Sequence, residues 1–253
     1  MRDIAGMSIL ITGGGSGLGA GAAEYFAERG AKVTICGRRP EKVAAVAEAI
    51  GEACCGVVAD ITNADDRARL MDAATTHGGG LHALVNNAAN MMRGPITELD
   101  EQGLLDIFHT NVVAGMMLTG LATPHLEREG GAVIFMGSVH TRRAFTGASP
   151  YAATKGAVEA LTKVLAAELG SKNIRVNCIV PGAILTEINQ RAGLFDDEAA
   201  AARLDAMASS HVLGRIGTEQ EIAEAMDYLI RAEWTTGTSV EVDGGLGLGL
   251  SDG

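Results

Sequence analysis

The segment SPYAATKGAV, residues 149–158, sets a phenol and an ammonium four positions apart, Tyr151 and Lys155, in an otherwise alanine-rich helical pattern. Residues i and i+4 share one helix face, about 6 Å apart along the axis. An ammonium beside a phenol favours the phenolate and lowers its pKa from about 10. The pair therefore reads as a proton donor and acceptor working near neutral pH. Ser138 closes the apolar run GAVIFMGS upstream, and its hydroxyl can hold a substrate oxygen. Asn111 follows His109-Thr110 in a helical pattern and can fix a water beside Lys155. Each has a plain alternative when taken singly: helix-surface decoration for Tyr-x-x-x-Lys, a cap for Asn111, a turn residue for Ser138. Their order along the chain is what carries specificity.

The elements that must position these groups alternate in type. MSILIT is a short apolar run ending in glycines, and residues 18–29 recur apolar at helical spacing. KVTIC is followed by Pro40, a favoured first helical residue, and then by the helical EKVAAVAEAI. CCGVVAD, LHALVNN, GAVIFMGS, IRVNCIV and SVEVDG read as further strands. Helical patterns cover 64–77, 98–128, 150–169 and 219–231. Strands alternating with helices make βαβ units. Apolar strands lacking clean alternation have both faces covered. The expected fold is α/β: one domain over residues 1–253, a doubly wound, seven-stranded parallel sheet with helices on both faces. Residues 183–217 break the rhythm and read as an insertion or lid over a substrate site. The tail GGLGLGLSDG is glycine-rich and frays or is ordered by a partner subunit.

Composition narrows the function classes. The chain has 253 residues, 47% hydrophobic, enough to bury a sizeable core. Its formal net charge of −11 repels phosphate backbones and anionic lipids, so neither nucleic acid nor membrane is an expected partner. Cys36, Cys54, Cys55 and Cys178 lie in strand-like runs without a C-x-x-C pair and read as buried free thiols. With no long apolar N-terminal stretch, the expectation is a cytoplasmic protein. The six histidines lack ligand spacing, so no metal is expected.

ILITGGGSGLGAG places Thr12, Gly13, Gly17 and Gly19 between the first strand and first helix. Glycines there permit a tight turn and close approach of a pyrophosphate to the helix N-terminus. The second strand ends ICGRRPEK, so Gly37 stands where a carboxylate would receive the ribose hydroxyls of NAD. Arg38, Arg39 and Lys42 offer a positive fork to a 2′-phosphate instead. NADP is the expected cofactor, ahead of NAD; the alternative is a basic loop on an acidic protein. A bound oxidised nicotinamide would reinforce the effect of Lys155 on Tyr151.

This ordered set resembles the short-chain dehydrogenase/reductase family over essentially the whole chain. TGGGSGLG is similar to the family's cofactor loop, and Asp60 in ADIT to its adenine-contacting acid. NNAA at 86–89 resembles its N-N-A-G motif, with Ala89 replacing the usual glycine. VPGAILTE resembles the Pro-Gly segment lining the nicotinamide site. The resemblance implies a Rossmann fold and a catalytic tetrad of Asn111, Ser138, Tyr151 and Lys155. It implies cofactor contacts from Gly13, Ser16, Gly17, Leu18, Gly19, Arg38, Arg39, Asp60, Ile61, Asn87, Ala88, Tyr151, Lys155, Pro181, Gly182, Ile184 and Thr186. Hydride would pass from NADPH to a carbonyl carbon, with Tyr151 protonating the oxygen, Ser138 polarising it, Lys155 on the nicotinamide ribose and Asn111 supporting a water relay. Ser138, Tyr151, Arg93, His140 and Arg142 are the expected substrate contacts. Arg93, Arg142 and Arg143 put positive charge near the rim, either for an anionic or carrier-bound substrate or as solvated surface. Three activities stay open: a broad ketone reductase, a 3-oxoacyl-thioester reductase, and a sugar or polyol dehydrogenase. A catalytically silent dinucleotide-binding relative should lack Tyr or Lys, and both are present. The family also implies a homotetramer, with helices near 104–128 and 150–169 meeting their copies.

Overall fold

A computed structural model gives the architecture, and residues 1–184 and 207–249 are described. Thr186 and most of the expected lid, 185–206, lie outside the described residues. Seven parallel strands form one sheet: β1 (Ser8–Thr12), β2 (Lys32–Gly37), β3 (Cys54–Val58), β4 (Ala83–Asn86), β5 (Ala132–Met136), β6 (Arg175–Pro181) and β7 (Ser239–Val242). Their order across the sheet is β3-β2-β1-β4-β5-β6-β7. The chain runs outward one way from β1 and the other way from β4, so a crevice opens at the carboxyl ends of these two strands. The helices are α1 (Gly17–Glu28), α2 (Pro40–Ile50), α3 (Ala64–Gly78), α4 (Glu101–Phe108), α5 (Ala114–Glu129), α6 (Ser149–Leu169) and α7 (Glu219–Arg231).

Period-two alternation sends strand side chains to two separate cores. Ile9, Ile11, Ile134 and Ile179 pack with Phe26, Val43 and Met226 of α1, α2 and α7. Leu10, Leu84, Val133 and Val176 pack with Leu70, Leu118 and Val158 of α3, α5 and α6. Helix starts follow local chemistry. The Asn63 side chain accepts from the Asp65 and Asp66 amides at the head of α3. Thr218 and Glu221 form a reciprocal capping box on α7.

Three sequence readings need correction. First, β3 is an edge strand, and Cys54 and Cys55 are only half-buried; Cys36 and Cys178 alone are buried thiols. Secondly, the helical pattern 98–128 is interrupted by a π-turn, His109–Val113, which drives Asn111 and Val112 inward. Thirdly, β5 stops at Met136, so Ser138 stands beyond the strand, at the head of a 3₁₀ turn, Val139–Thr141.

Glu101–Glu129 is long and apolar enough to cross a bilayer by length and composition, but Ala114, Leu118, Ala122 and Leu126 are buried in the core beside the sheet. Its other face exposes Val113, Met116, Met117 and Leu121. Trp234, in the α7–β7 connection, is fully exposed.

Candidate active site

The cleft at the switch point is lined by the glycine turn after β1, the ends of β2, β4, β5 and β6, and the start of α6. Its volume is about 240 Å³. The turn is shaped for close approach. Gly13 has φ +69°, and a Cβ there would sit 2.9 Å from Ala88 Cα. A Cβ on Gly19 would collide with the Gly13 carbonyl oxygen. Gly19 therefore packs beneath the turn, while Gly13, Ser16, Gly17 and Leu18 face the cleft. Such a cradle, followed by a helix N-terminus, fits a dinucleotide pyrophosphate.

Thr12 anchors the turn to β4. Its Oγ accepts from the Asn87 and Ala88 amides, each at 3.0 Å, while Asn87 Nδ2 donates to the Thr12 carbonyl at 2.9 Å. Thr12→Val keeps the shape but strips the Ala88 amide of its acceptor. That amide is part-buried beside the cleft, so its loss costs about 1 kcal/mol, the low end for an unsatisfied amide. The variant should melt about 2–4 °C lower, and differential scanning calorimetry reads this directly.

Beyond the ends of β2 and β3, Arg38 and Asp60 line the cleft. Asp60 Oδ1 accepts from the Thr62 amide and hydroxyl, at 2.9 and 2.7 Å. Arg39 turns to the phosphate turn itself, donating from Nη2 to Ser16 Oγ at 3.1 Å. Ile61, Asn87, Ala88, Pro181, Gly182 and Ile184 complete the lining expected for cofactor.

Ser138, Tyr151 and Lys155 converge at the other end, all buried. Lys155 Nζ donates to the Met136 carbonyl at 2.8 Å and lies 5.3 Å from the Tyr151 ring centroid. Sequence reasoning expected a lowered phenol, and the structure reverses this. Burial pushes Tyr151 up to about 12, against the downward pull of its hydrogen bond with Ser138 and of the Arg93 charge. Burial also lowers Lys155 to about 8. The desolvation cost of each charged form outweighs the neighbouring charges.

Asn111 does not stand with its amide open beside Lys155. Both Nδ2 hydrogens are used, one on the Asn90 carbonyl at 2.9 Å and one on Thr154 Oγ at 3.0 Å, and Oδ1 accepts from the Asn90 amide at 2.8 Å. It ties the segment after β4 to α6. Arg93 and His140, both expected substrate contacts, line the cleft with Met91, Val139, Phe145 and Met207. Arg142 does not. Its guanidinium is held by Glu159 at 2.7 Å and Glu241 at 2.5 Å, clamping the loop after β5 to α6 and β7. Arg143 is also outside the lining.

Sequence reasoning missed three anchors: Thr12 as a hydrogen-bond hub, Thr154, and the Met136 carbonyl. Thr154 sits three residues after Tyr151 on the buried helix face and is fully buried; a polar residue on an apolar face was its signal. A backbone carbonyl carries no such signal.

A family profile described as Enoyl-(Acyl carrier protein) reductase matches residues 13–247. The chain belongs to the short-chain dehydrogenase/reductase family. L-fucose dehydrogenase of Oryctolagus cuniculus is 36% identical, over 97% of this chain and 86% of that protein. A short-chain dehydrogenase/reductase of unknown function from Caenorhabditis elegans, solved with cofactor, superposes with a TM-score of 0.92 at 26% identity, covering 99% and 98% of the two chains. A 3-ketoacyl-(acyl-carrier-protein) reductase from Brucella melitensis, solved with NADH, gives 0.87 at 30% identity over 96% and 99%. Short-chain dehydrogenase/reductases are oxidoreductases of small molecules.

Proposed function

We propose that the protein is an NADP(H)-dependent oxidoreductase interconverting a carbonyl and a secondary alcohol. The observation that carries this is the convergence of Ser138, Tyr151 and Lys155 at one end of a cleft whose other end holds the glycine turn and Arg38. When bound, the dinucleotide supplies or accepts the hydride. The turn from Gly13 to Leu18 holds its pyrophosphate, Asp60 and Ile61 its adenine, Arg38 a 2′-phosphate, and Pro181, Gly182 and Ile184 its nicotinamide. Lys155 serves the adjoining ribose. Ser138 donates a hydrogen bond to the substrate oxygen, and Tyr151 gives that oxygen its proton. Asn111 keeps α6 and the Asn90 segment in register rather than presenting its own amide to a water.

The raised Tyr151 matters for direction. A phenol at about 12 is fully protonated at neutral pH, the form that carbonyl reduction requires. Loss of NADPH absorbance with a panel of ketones, sugars and 3-oxoacyl thioesters tests the activity; the last two classes come from the relatives named above. No turnover of any carbonyl or alcohol, in either direction, would overturn the reading. For an active substrate, kcat/KM for reduction should be flat below pH 8 and fall above it. There Lys155, lowered to about 8, loses its proton while Tyr151 keeps its own. Lys155→Arg should move that alkaline limb upward.

The exposed apolar face of α5, with Val164, Ala153 and Ala160 of α6, fits a homotetramer. Ala157, by contrast, packs on the protein's own core. Light scattering at micromolar concentration should give four copies, and a monomer would contradict this.

A further inference from the structure

Ser138 Oγ has two lone pairs and one proton. The His140 amide approaches this oxygen at 3.3 Å, and the His140 ring nitrogen Nδ1 lies 3.0 Å from it. On the far side of the ring, Arg93 Nη2 is 3.0 Å from Nε2. A guanidinium only donates, so Nε2 must accept. A neutral imidazole then carries its proton on Nδ1, and Nδ1–H donates to Ser138. Both acceptor sites of Ser138 Oγ are thereby filled by one residue, and its own proton can only be given away. The ring is held in this pose by packing. Its centroid is 4.4 Å from that of Phe145 and 5.2 Å from that of Tyr151, edge-on at 83°.

We propose that His140, its tautomer set by Arg93, is a positioning residue that makes Ser138 an obligate hydrogen-bond donor toward the reacting carbonyl oxygen. The inference rests on the carbonyl-reductase reading above. A serine free to rotate would also accept from the Tyr151 hydroxyl, diverting the proton that Tyr151 must deliver. With both lone pairs filled, Ser138 has one direction left to act, and Tyr151 keeps its proton for the substrate. The downward pull of Ser138 on the Tyr151 pKa has the same sense, that of a donor to the phenolic oxygen.

The test has two arms. The first reads the tautomer without turnover: ¹⁵N NMR of the imidazole nitrogens at neutral pH, with the His140 signals assigned by their loss in His140→Phe. The expected result is a protonated Nδ1 in the wild type and a shift toward protonated Nε2 in Arg93→Met. A wild-type His140 protonated on Nε2 would overturn the proposal whether or not a substrate is found. The second arm measures single-turnover reduction of whichever β-keto ester or vicinal diketone the wild type accepts. His140→Phe keeps the ring packing and removes both nitrogens. It should slow reduction about ten- to hundredfold, with NADPH Kd and melting temperature near wild type. His140→Asn, which keeps a donor near Ser138, should recover most of the rate. In a Ser138→Ala background His140→Phe should have no further effect, since a residue acting through Ser138 has nothing left to act on. Additive losses in that double variant, or a wild-type rate in His140→Phe, would sink the idea. A wild type that turns over no carbonyl would defeat the activity reading and leave the NMR arm to decide the tautomer.

Discussion

Replacing Tyr151 by phenylalanine should leave a protein that folds, binds its dinucleotide and turns over more than about 100-fold slower than wild type. The ring stays buried in the same packing, so the fold loses little. What disappears is the proton that is transferred to the substrate oxygen. Ser138 can still polarise that oxygen but has no acid beside it to replace a proton it gives away. Dinucleotide affinity, measured by fluorescence titration, should change by less than about threefold, because the phosphate turn and the adenosine end lie on other elements. A Tyr151→Phe protein with near-normal turnover would show that another group moves the proton. Lys155→Ala is the useful contrast. It removes the charge that serves both ribose and phenol, so affinity and rate should fall together.

The second large effect is on cofactor choice. The wild type should use NADPH in preference to NADH, and Gly37→Asp with Arg38→Leu should reverse this. Gly37 ends β2, and its φ lies outside the positive range, so an aspartate meets no backbone strain there. A Cβ at Gly37 would come 3.2 Å from Cγ2 of the buried Val43, so that one side chain must shift by a few tenths of an ångström. The new carboxylate would repel a 2′-phosphate and receive ribose hydroxyls. Removing Arg38 takes away a charge-assisted hydrogen bond of about 1.5–3 kcal/mol, a factor of ten to a hundred in preference. Arg39 remains on Ser16, so the phosphate turn should keep its shape in the double variant. The measurement is kcat/KM with each dinucleotide for both proteins. A wild type already preferring NADH would mean that Arg38 is surface charge.

The fold was legible because its signal is repetitive. Apolar strands such as SILIT and VNCIV, separated by helices with clear starts such as Pro40, leave little room for another architecture. The positions of Ser138, Tyr151 and Lys155 in one cleft follow from that frame, since the crevice must open at the carboxyl ends of β1 and β4, where the connections run to opposite sides. What the sequence hid was local and physical. The π-turn at His109–Val113 depends on one extra residue being accommodated within a helix, and no residue type announces it. Arg142 looked like a substrate contact from its place after Ser138. Its true partners, Glu159 and Glu241, are distant in sequence and meet it only when α6 and β7 are packed. The phenol was misjudged because i,i+4 spacing reports a neighbouring charge but not depth, and burial is the larger effect at Tyr151. His140 was hidden for a related reason: its contact with Arg93 crosses from the segment after β4 to the loop after β5.

Trp234 is the chain's single tryptophan, and it stands fully in water. The protein therefore has one built-in fluorophore, placed away from its core. Unfolding a protomer moves that indole from water to water, so emission wavelength should be a poor gauge of denaturation, and far-ultraviolet circular dichroism is the better choice. The same placement makes the indole a clean optical reporter of anything that covers the α7–β7 connection. A blue shift with rising protein concentration would record a second copy closing over it, with no label attached.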